Sequence, residues 1–378
     1  MPEPTTYAAV DLGALGRNLT AIRQRTKGLI LLPVKANAYG HGLVGTAKAA
    51  IDHGWADWLG VATVSEGVGL REAGVTAPVL KLSGALPDET EDAVVHDIRL
   101  AITDRAGLES AQAAAARTHR RARVHLKIDT GMHRIGVRPH QAAELAELIE
   151  EAPDVELEGV FTHLAAADMP VQDEFTAMQL SRFREAVDAV TARLGRRPHI
   201  IHAANSAGVL AHPDSWWDMV RPGIMSYGYY PDPTTPKTVG IEPVLSLVTH
   251  ITHVQTVPAG ETVGYGRTWA PEADTLIGTF PVGYGDGYPR RLSSRVSVLI
   301  GGRRYQQVGR VCMDQSMADL GPASKIQVGA RVTLIGTDGE ERIDADDIAS
   351  ILGTISYEVL SVIADRVPRV YTGLEVAG

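Results

Sequence analysis

The sequence predicts an α/β protein in which an N-terminal (β/α)8 TIM-type barrel is followed by a mostly β C-terminal domain. The first observation is that short apolar runs alternate with amphipathic segments over roughly the first 230 residues, as parallel strands and crossover helices do. The second observation is a change after Tyr230, where prolines end the alternation and β-rich runs separated by glycine and proline follow. We therefore predict a barrel domain at 1–235 and a second domain at 236–378.

Eight apolar runs are the predicted barrel strands, and they cover residues 29–35, 58–63, 78–83, 100–103, 123–129, 157–163, 199–203 and 219–225. Apolar residues three and four apart predict helices over residues 11–25, 43–53, 65–73, 105–119, 141–151 and 175–194. Asp11 begins the first of these segments and is its predicted N-cap. The helical segments are long enough for the crossovers that parallel strands require.

The second domain is predicted from β-rich runs at 244–255, 275–282, 296–300 and 331–335. Turns that contain glycine and proline separate these runs, as expected between strands. A helix at 345–352 and a final strand at 369–371 complete the predicted domain.

Composition and charge exclude several functional classes. Lys and Arg number 36 against 45 Asp and Glu, and the net charge of −9 argues against a nucleic-acid surface. The single cysteine, Cys312, excludes an internal disulfide framework and a cysteine-based zinc site. The sequence contains no signal-peptide pattern and no apolar stretch long enough for a bilayer. We therefore expect a cytoplasmic protein that binds neither membranes nor nucleic acid.

Candidate functional residues follow the carboxyl ends of the predicted barrel strands, which is where the active sites of such barrels lie. The set is cationic and rich in hydrogen-bonding groups: Lys35, Ser83, Lys127, Asp129, Thr162, His163, Asn205, Ser206, Arg221 and Gly223. Its few carboxylates disfavour a glycosidase, which needs a pair of acids. Small residues at 205–208 and 223–224 follow the last two strands, where backbone N–H groups often bind a phosphate.

Two interpretations of Lys35, at the end of the first barrel run, are open at this point. A lysine at a strand end can extend its amine into solvent along an apolar surface. Apolar surroundings can instead lower the pKa of the amine, so that it reacts with an aldehyde to form a Schiff base. A lysine amine that meets an aldehyde bearing a phosphate indicates pyridoxal phosphate as the cofactor.

An ordered set of short motifs resembles the alanine racemases over nearly the whole chain. The motifs lie at 34–42, 127–134, 162–163, 202–206, 221–223, 264–267, 283–288, 312–314 and 356–358. Each motif is a weak signal, whereas the set in this order is specific. The resemblance implies an isomerase that uses pyridoxal 5'-phosphate to interconvert L-alanine and D-alanine, which supplies D-alanine for peptidoglycan. It also implies a homodimer with shared active sites.

The resemblance implies a role for each matching residue. Lys35 and the partner's Tyr265 are the two acid/base residues, one for each face of the substrate. The cofactor is bound by Lys35, Tyr39, His163, Asn205, Ser206, Arg221, Gly223, Ile224 and Tyr357. Arg134 and Met313 bind the substrate, and the corridor that leads to the site is lined by Asp168, Tyr284, Arg290, Arg310 and Ile355. No residue is assigned to a metal.

Three of these assignments carry physical expectations. Bringing the pKa of a tyrosine base from near 10 to about 7 requires roughly 4 kcal/mol, and His163 and Arg221 are its expected cationic or dipolar neighbours. Arg221 faces the pyridine nitrogen and can only donate a hydrogen bond to it, which restrains side reactions such as transamination. Lys127 is the third, because the resemblance implies that this position carries a carbamate formed with carbon dioxide, with an unmodified lysine beside a bound chloride as the alternative.

His133 departs from the motif, since the family usually has glycine or asparagine between the methionine and the arginine. We interpret it as a solvent-facing loop residue, and Cys312 as a small residue without a nucleophilic role. A pyridoxal-phosphate decarboxylase on a similar barrel would need acidic residues for a longer, basic substrate. A non-enzymatic cofactor carrier would lack the second domain. A metal hydrolase would need His-x-His pairs on its strands, which the chain does not have.

Overall fold

The computed structural model describes residues 4–374, which divide into two compact units. The larger unit comprises residues 15–38 and 43–242. The smaller unit comprises the described residues of 1–14 and 243–378 together with 39–42. No helix among the described residues is long and apolar enough to cross a membrane.

The larger unit is a closed barrel of eight parallel strands, as the sequence predicts. The strands are Leu29–Pro33, Trp58–Val61, Val79–Lys81, Ile98–Ile102, Ala122–Lys127, Val155–Phe161, Ile200–His202 and Met219–Val220. Each strand pairs with the next, and the first pairs with the last to close the barrel. The strands are apolar along most of their length because both faces of such a sheet are covered.

The helix Leu12–Thr26 precedes the first of these strands. The helices that follow barrel strands are Leu43–Asp52, Val64–Glu72, Pro87–Val95, Arg105–Thr118, Ala142–Glu151, Asp173–Leu194 and Ser206–Ala211. Asp11 Oδ1 accepts a hydrogen bond from the Ala14 N–H at 2.9 Å, so the predicted N-cap is confirmed. The helix that begins at Pro87 was not among those predicted. It buries only Thr90, Ala93 and Val94, which is too short a stripe to give a clear helical period.

The smaller unit is built on a ten-stranded, almost entirely antiparallel sheet, which confirms the predicted mostly β domain. Along the sheet the strands are His253–Val257, Thr275–Phe280, Ser316–Gly321, Arg303–Val308, Ser297–Ile300, Arg331–Asp338, Leu245–His250, Tyr7–Asp11 and Arg369–Thr372. The tenth strand, Glu341–Ile343, pairs with Arg331–Asp338. Two helices of this unit are Ala345–Leu352 and Ser356–Ser361.

Two local predictions in this unit are corrected. The predicted run 244–255 is two strands, because Ile251 N–H bonds to Ala330 and the next residue, Thr252, bonds to Thr279 on a different strand. The strand Tyr7–Asp11 was not predicted. It has five residues and leads directly into a helix, so its alternation is too short to recognise in sequence.

Candidate active site

Lys35 lies two residues beyond the carboxyl end of the first barrel strand and is half-buried. Burial lowers the pKa of its amine, the charges of Arg134 and Arg221 lower it further, and the charge of Glu66 opposes them. None of the described residues accepts a hydrogen bond from Lys35 Nζ. The fraction of neutral, nucleophilic amine at neutral pH is therefore larger than for an exposed lysine. This supports the interpretation of Lys35 as a reactive amine.

The residues after Lys35 form a left-handed helical turn. Ala36, Asn37, Ala38 and Tyr39 all have φ of 53°. A left-handed conformation costs on the order of 1–2 kcal/mol for each such residue. The turn therefore requires support from its surroundings.

Glu66 supplies part of that support. Its Oε1 accepts a hydrogen bond from Ala36 N–H at 2.7 Å. Its Oε2 accepts from the N–H groups of Ala62 and Thr63 at 2.8 and 3.2 Å. One carboxylate thus ties the start of the turn to the end of the next barrel strand. Sequence analysis did not single out Glu66, although its position three residues after Thr63 is that of a capping box.

Arg221 directly follows the last barrel strand and is 4% exposed. Its Nη1 donates to His202 Nδ1 at 2.8 Å, and its Nη2 donates to the carbonyls of Thr162 and Ala203 and to His163 Nδ1. Burial lowers the pKa of the Arg221 guanidinium to about 9, so it remains protonated at neutral pH. No acceptor for Arg221 Nε exists among residues 4–374. That N–H is therefore available to a ligand.

His163 is neutral in this environment. Burial lowers its pKa well below the ordinary value, and the charge of Arg221 adds to the effect. A guanidinium has no acceptor, so Arg221 donates to Nδ1 and the ring proton is on Nε2. The sequence predicts that His163 acts on the tyrosine base either as a cation or as a dipole. A neutral ring can act only as a dipole.

Lys127 ends the fifth barrel strand and is 3% exposed. Its Nζ donates to the Ile128 carbonyl at 3.3 Å and lies 5.2 Å from the centroid of the Phe161 ring. Burial, followed by the charge of Arg221, lowers the pKa of the amine to about 7. Near neutral pH the lysine is therefore divided between its charged and neutral forms.

Arg134 is exposed, and its guanidinium has no hydrogen bond to another described residue. The preceding loop is held by Asp129, whose Oδ1 accepts from the N–H groups of Gly131 and His133 at 3.1 and 3.0 Å. His133 has φ of 56°, a conformation that glycine and asparagine adopt more readily than other residues. This backbone conformation therefore accounts for the glycine or asparagine that is usual at this position of the motif. The His133 side chain itself is exposed.

A candidate anion site lies after the last two barrel strands. Ser206 Oγ accepts a hydrogen bond from Met225 N–H at 3.3 Å, which places Ser206 beside the turn that contains Gly223 and Ile224. Gly223 and Ile224 are buried, yet no described residue accepts a hydrogen bond from either backbone N–H. Buried N–H groups are rarely left unpaired, so this pair fits an anionic oxygen. Asn205 caps the helix Ser206–Ala211 by accepting from Gly208 N–H at 3.0 Å.

Tyr39 and Tyr357 lie together in the smaller unit, with ring centroids 6.1 Å apart. Burial raises the pKa of the Tyr39 phenol well above its ordinary value. Tyr39 is therefore protonated and can donate its hydrogen to an anion. Tyr357 lies on the short helix Ser356–Ser361 and is half-buried.

Tyr265 is 70% exposed and begins a single 3-10 turn in the smaller unit. Gly266, which follows, has φ of 72°. A Cβ atom at Gly266 would lie 2.8 Å from Arg310 Cζ, so the guanidinium packs directly on this backbone. The positive φ favours glycine here, and Arg310 supports the Tyr265 turn through this contact.

The Met313 loop is held by a second glycine-dependent contact. Tyr284 N–H donates to the Cys312 carbonyl at 3.0 Å, and Gly285 N–H donates to the Met313 carbonyl at 2.9 Å. A Cβ atom at Gly283 would lie 2.2 Å from the Cys312 carbonyl oxygen. Burial raises the pKa of the Cys312 thiol, so it is poorly suited to be a nucleophile. Met313 is 54% exposed.

The remaining predicted residues lie near the surface. Tyr284, Arg290 and Ile355 are exposed in the smaller unit. Asp168 is half-buried in the larger unit, where its carbonyl accepts from Thr235 Oγ1 at 2.9 Å. Among residues 4–374, no group of three His, Cys, Asp or Glu side chains is arranged to hold a metal ion.

The barrel unit thus presents a reactive amine among guanidinium groups, with two buried N–H groups on an adjacent turn. Such an arrangement is typical of an enzyme that binds an anionic ligand and uses a lysine amine.

Comparisons with known proteins identify the family. The sequence profile of the alanine racemase N-terminal domain matches residues 10–231, and that of the C-terminal domain matches residues 244–371. An alanine racemase of Cutibacterium acnes is 46% identical over 98% of this chain and 99% of its own. The structure is similar to an alanine racemase of Clostridium difficile, with a TM-score of 0.92 and 35% identity over 98% and 97% of the two chains. It is also similar to a histidine racemase of Leuconostoc mesenteroides, with a TM-score of 0.90 and 28% identity over 98% and 99%.

The chain belongs to the alanine racemase family, and it is an isomerase.

Proposed function

We propose that the protein interconverts L-alanine and D-alanine with pyridoxal 5'-phosphate, using Lys35 and the partner's Tyr265 as its two acid/base residues. The observation that carries the proposal is Lys35, an amine of lowered pKa without a described acceptor at a barrel strand end. When bound, pyridoxal phosphate withdraws electrons from the α-carbon of the amino acid and thereby acidifies its α-hydrogen.

The anion site fits the phosphate group. The N–H groups of Gly223 and Ile224 and the hydroxyl of Ser206 supply donors in the larger unit. The resemblance to the family also assigns Tyr39 and Tyr357 to the phosphate, and burial keeps the phenol of Tyr39 protonated. Asn205 contributes by capping the helix that carries Ser206.

Arg221 and His163 fit the cofactor ring. Arg221 Nε offers one N–H to an acceptor that carries no proton, which is the property of a neutral pyridine nitrogen. His163 holds its proton on Nε2 and is kept neutral by burial and by the charge of Arg221. It can therefore act as a hydrogen-bond donor without adding charge.

The substrate carboxylate is assigned to Arg134 and to the backbone N–H of Met313. Arg134 is exposed, and its guanidinium has no described hydrogen-bond partner. A planar guanidinium can bind a carboxylate through two parallel hydrogen bonds. Glycines at 283 and 285 hold the backbone of the Met313 loop in place. A small pocket beside Tyr357 and Met313 would suit alanine, with serine as a weaker substrate.

Racemisation requires a base on each face of the substrate, since a proton leaves one face and another arrives on the opposite face. The neutral amine of Lys35 accepts the α-proton on its side. The phenol of Tyr265 delivers or accepts a proton on the other side. Because the reaction runs in both directions, each group serves as acid in one direction and base in the other.

We further propose a homodimer in which Tyr265 and Met313 reach the partner's Lys35. The proposal is supported by large apolar and aromatic side chains that this chain leaves exposed, namely Tyr265, Tyr284, Met313 and Ile355. Exposed residues of this kind are typical of surfaces that bind a partner. Asp168, Tyr284, Arg290, Arg310 and Ile355 would then line the corridor that leads to each site.

Lys127 is proposed to be a carbamate. Carbon dioxide reacts with a neutral amine, and the pKa of about 7 supplies that form at neutral pH. The resulting anion would offset the positive charges of Arg221 and Arg134, which both lower the pKa of Lys127. An unmodified lysine beside a bound chloride remains the alternative. In the cytoplasm, the D-alanine produced would serve peptidoglycan synthesis.

Borohydride reduction of the cofactor-loaded protein, followed by peptide mapping, tests the proposal. We expect the pyridoxyl label on the peptide that contains Lys35. A label on any other lysine would contradict the assignment. Incubation with L-alanine in D₂O should give α-deuterated alanine without release of carbon dioxide, whereas carbon dioxide release would support a decarboxylase.

A further inference from the structure

A line of hydrogen-bonding side chains runs through the inside of the barrel behind Arg221. Arg221 Nη1 lies 2.8 Å from His202 Nδ1, and His202 Nε2 lies 2.9 Å from His125 Nδ1. His125 Nε2 lies 3.5 Å from Glu158 Oε2, and Glu158 Oε2 lies 3.2 Å from Arg99 Nε. Both histidines are fully buried. Such polar groups are unusual inside a barrel that is otherwise filled with apolar side chains.

The groups at the two ends of the line determine which nitrogen of each histidine carries the proton. A guanidinium only donates, so Arg221 donates to His202 Nδ1 and the proton of His202 is on Nε2. His202 Nε2–H then donates to His125 Nδ1, so the proton of His125 is also on Nε2. His125 Nε2 lies 3.5 Å from the Glu158 carboxylate, whose charge favours an N–H over a lone pair at this nitrogen. Burial lowers the pKa of both rings, in agreement with two neutral imidazoles.

The strand that carries Glu158 is distorted, and the distortion makes room for both the Glu158 carboxylate and the His125 imidazole. Val124 is opposite Leu157, but His125 is opposite Gly159, so Glu158 is an extra residue in a β-bulge. Bulges change the direction of a side chain relative to the regular alternation. A Cβ atom at Gly159 would lie 2.6 Å from His125 Nδ1, so the ring packs directly on this backbone.

Glu158 remains an anion at this position. Burial acts to raise the pKa of its carboxyl, but the contact with His125 and the charge of Arg99 outweigh burial and hold the pKa below its ordinary value. Arg99 is itself held by Asp97, with 2.9 Å between Arg99 Nη1 and Asp97 Oδ2. The carboxylate at the end of the line is thus held by Arg99.

Besides these polar contacts, the two histidine rings contact aromatic side chains. Phe161 stacks on His202 with 4.8 Å between centroids, and Trp58 meets the edge of His125 at 5.4 Å. His125 Nε2 has no hydrogen-bond partner among the described residues, and Glu158 Oε2 is its charged neighbour at 3.5 Å. Hydrogen bonds thus link the two rings to each other and to Arg221, whereas the link from His125 to Glu158 is an electrostatic contact.

We propose that Glu158 and His125 are positioning residues for Arg221: they impose one hydrogen-bond direction on the barrel interior and so hold the guanidinium with its Nε–H toward the ligand. The carboxylate selects the Nε2–H form of His125, which selects the same form of His202. This leaves His202 Nδ1 free to accept from Arg221. Without the carboxylate the line can reverse, and a proton on His202 Nδ1 would repel Arg221 Nη1. The inference rests on the proposed function only for the identity of the group that Arg221 faces.

Neutron crystallography of the wild-type, cofactor-loaded protein tests the direction without any substitution. We expect deuterium on Nε2 of both His125 and His202 and none on either Nδ1. Deuterium on Nδ1 of either ring would overturn the proposal. This measurement does not depend on the reaction, so it can fail while the proposed function stands.

Glu158→Gln tests the consequence, since an amide can donate to His125 Nε2 and permit the reversed line. We expect the neutron structure of this variant to show deuterium on His125 Nδ1 in part of the molecules, and kcat to fall about tenfold with little change in KM for alanine. We also expect the absorption maximum of the bound cofactor to shift. Glu156→Gln is the matched control, because Glu156 lies on the same strand but pairs with Arg121 and Arg123 at the surface.

The outcomes separate positioning from a structural role. A loss of kcat in Glu158→Gln with unchanged ring protons and an unchanged absorption maximum would overturn the proposal. Equal behaviour of Glu158→Gln and Glu156→Gln would overturn it as well. If Glu158→Gln does not fold, Glu158→Asp, which keeps the charge, should retain the wild-type proton positions and absorption maximum, and a shift of either would contradict the proposal.

Discussion

The two units of the molecule present their candidate residues in opposite ways. In the barrel unit, Arg221 and Lys127 are 4% and 3% exposed and are held by hydrogen bonds and ring contacts. In the β unit, Tyr265 and Met313 are 70% and 54% exposed, on loops held by backbone hydrogen bonds at Met313 and by the packed Arg310 side chain at Tyr265. In the barrel unit, the charged groups that act on the candidate residues belong to the same chain. Under the proposed function, the exposed side chains of the β unit act when the partner's surface approaches them.

This difference predicts which substitutions affect stability and which affect only the reaction. Buried, hydrogen-bonded groups contribute to folding as well as to chemistry, because their removal leaves partners unpaired. Exposed side chains can be removed at little cost to the fold. The following predictions test that division, from the largest expected effect to the smallest.

Tyr265→Phe should lower kcat by about 10²–10⁴-fold, because it removes one of the two acid/base groups. The temperature of unfolding should not change, since the side chain is exposed. Steady-state racemisation assays and calorimetry measure the two effects. Tyr305→Phe is the control in the same unit, and its activity should equal that of the wild type. Near-normal kcat in Tyr265→Phe would contradict the role of the exposed loop.

Glu66→Gln should affect both stability and activity, because it weakens the support of the left-handed turn. We expect a loss of about 1–3 kcal/mol in the free energy of unfolding, since backbone N–H groups of Ala36, Ala62 and Thr63 lose a charged acceptor. We expect kcat to fall as the turn after Lys35 loosens. Denaturant unfolding and racemisation assays measure these changes. Glu72→Gln on the same helix should change neither, and equal effects of the two variants would refute the role of Glu66.

Carbamate formation at Lys127 should increase with pH. The pKa of Lys127 is lowered to about 7, so the neutral amine that reacts with carbon dioxide becomes more abundant as the pH rises through 7. We expect a carbamate signal in ¹³C NMR with labelled bicarbonate that is weak at pH 6 and strong at pH 8. Lys127→Ala should abolish this signal. A signal that does not depend on pH would mean that the environment of Lys127 is not the one described.

His133→Gly should have the smallest effect. Glycine adopts φ of 56° without strain, but it also loses more entropy on folding, so the free energy of unfolding should change by less than about 1 kcal/mol. The racemisation rate should equal that of the wild type. Denaturant unfolding would show the change. A large loss of activity would mean that the His133 side chain has a role beyond the loop.

The barrel and the residues at its strand ends could be predicted from the sequence because both depend on local patterns. Continuous apolar runs indicate buried parallel strands, and the residues that follow them reach one end of the barrel. The β unit was predicted as a class, but Tyr7–Asp11 was missed because five residues give too few alternations. The sheet order joins strands far apart in sequence, so no local pattern predicts it.

Other features of the site depend on contacts that a local pattern does not show. The left-handed turn after Lys35 contains Ala36, Asn37 and Ala38, none of which is glycine. It persists because Glu66, thirty residues later in the chain, accepts from its backbone. The line from Arg221 to Glu158 likewise joins three strands and the residue that follows a fourth. One available signal was the presence of His125 and Glu158 within barrel strands.

Mixing two inactive variants tests most directly the claim that a buried barrel site needs the partner's exposed tyrosine. Lys35→Ala and Tyr265→Phe would each be inactive, and equal amounts would be unfolded and refolded together. If Lys35 of one chain works with Tyr265 of the other, half of the dimers are hybrids with one intact site, and about a quarter of the wild-type activity should return. If the mixture stays as inactive as the separate variants, both residues act within one chain, and the account of a shared site is wrong.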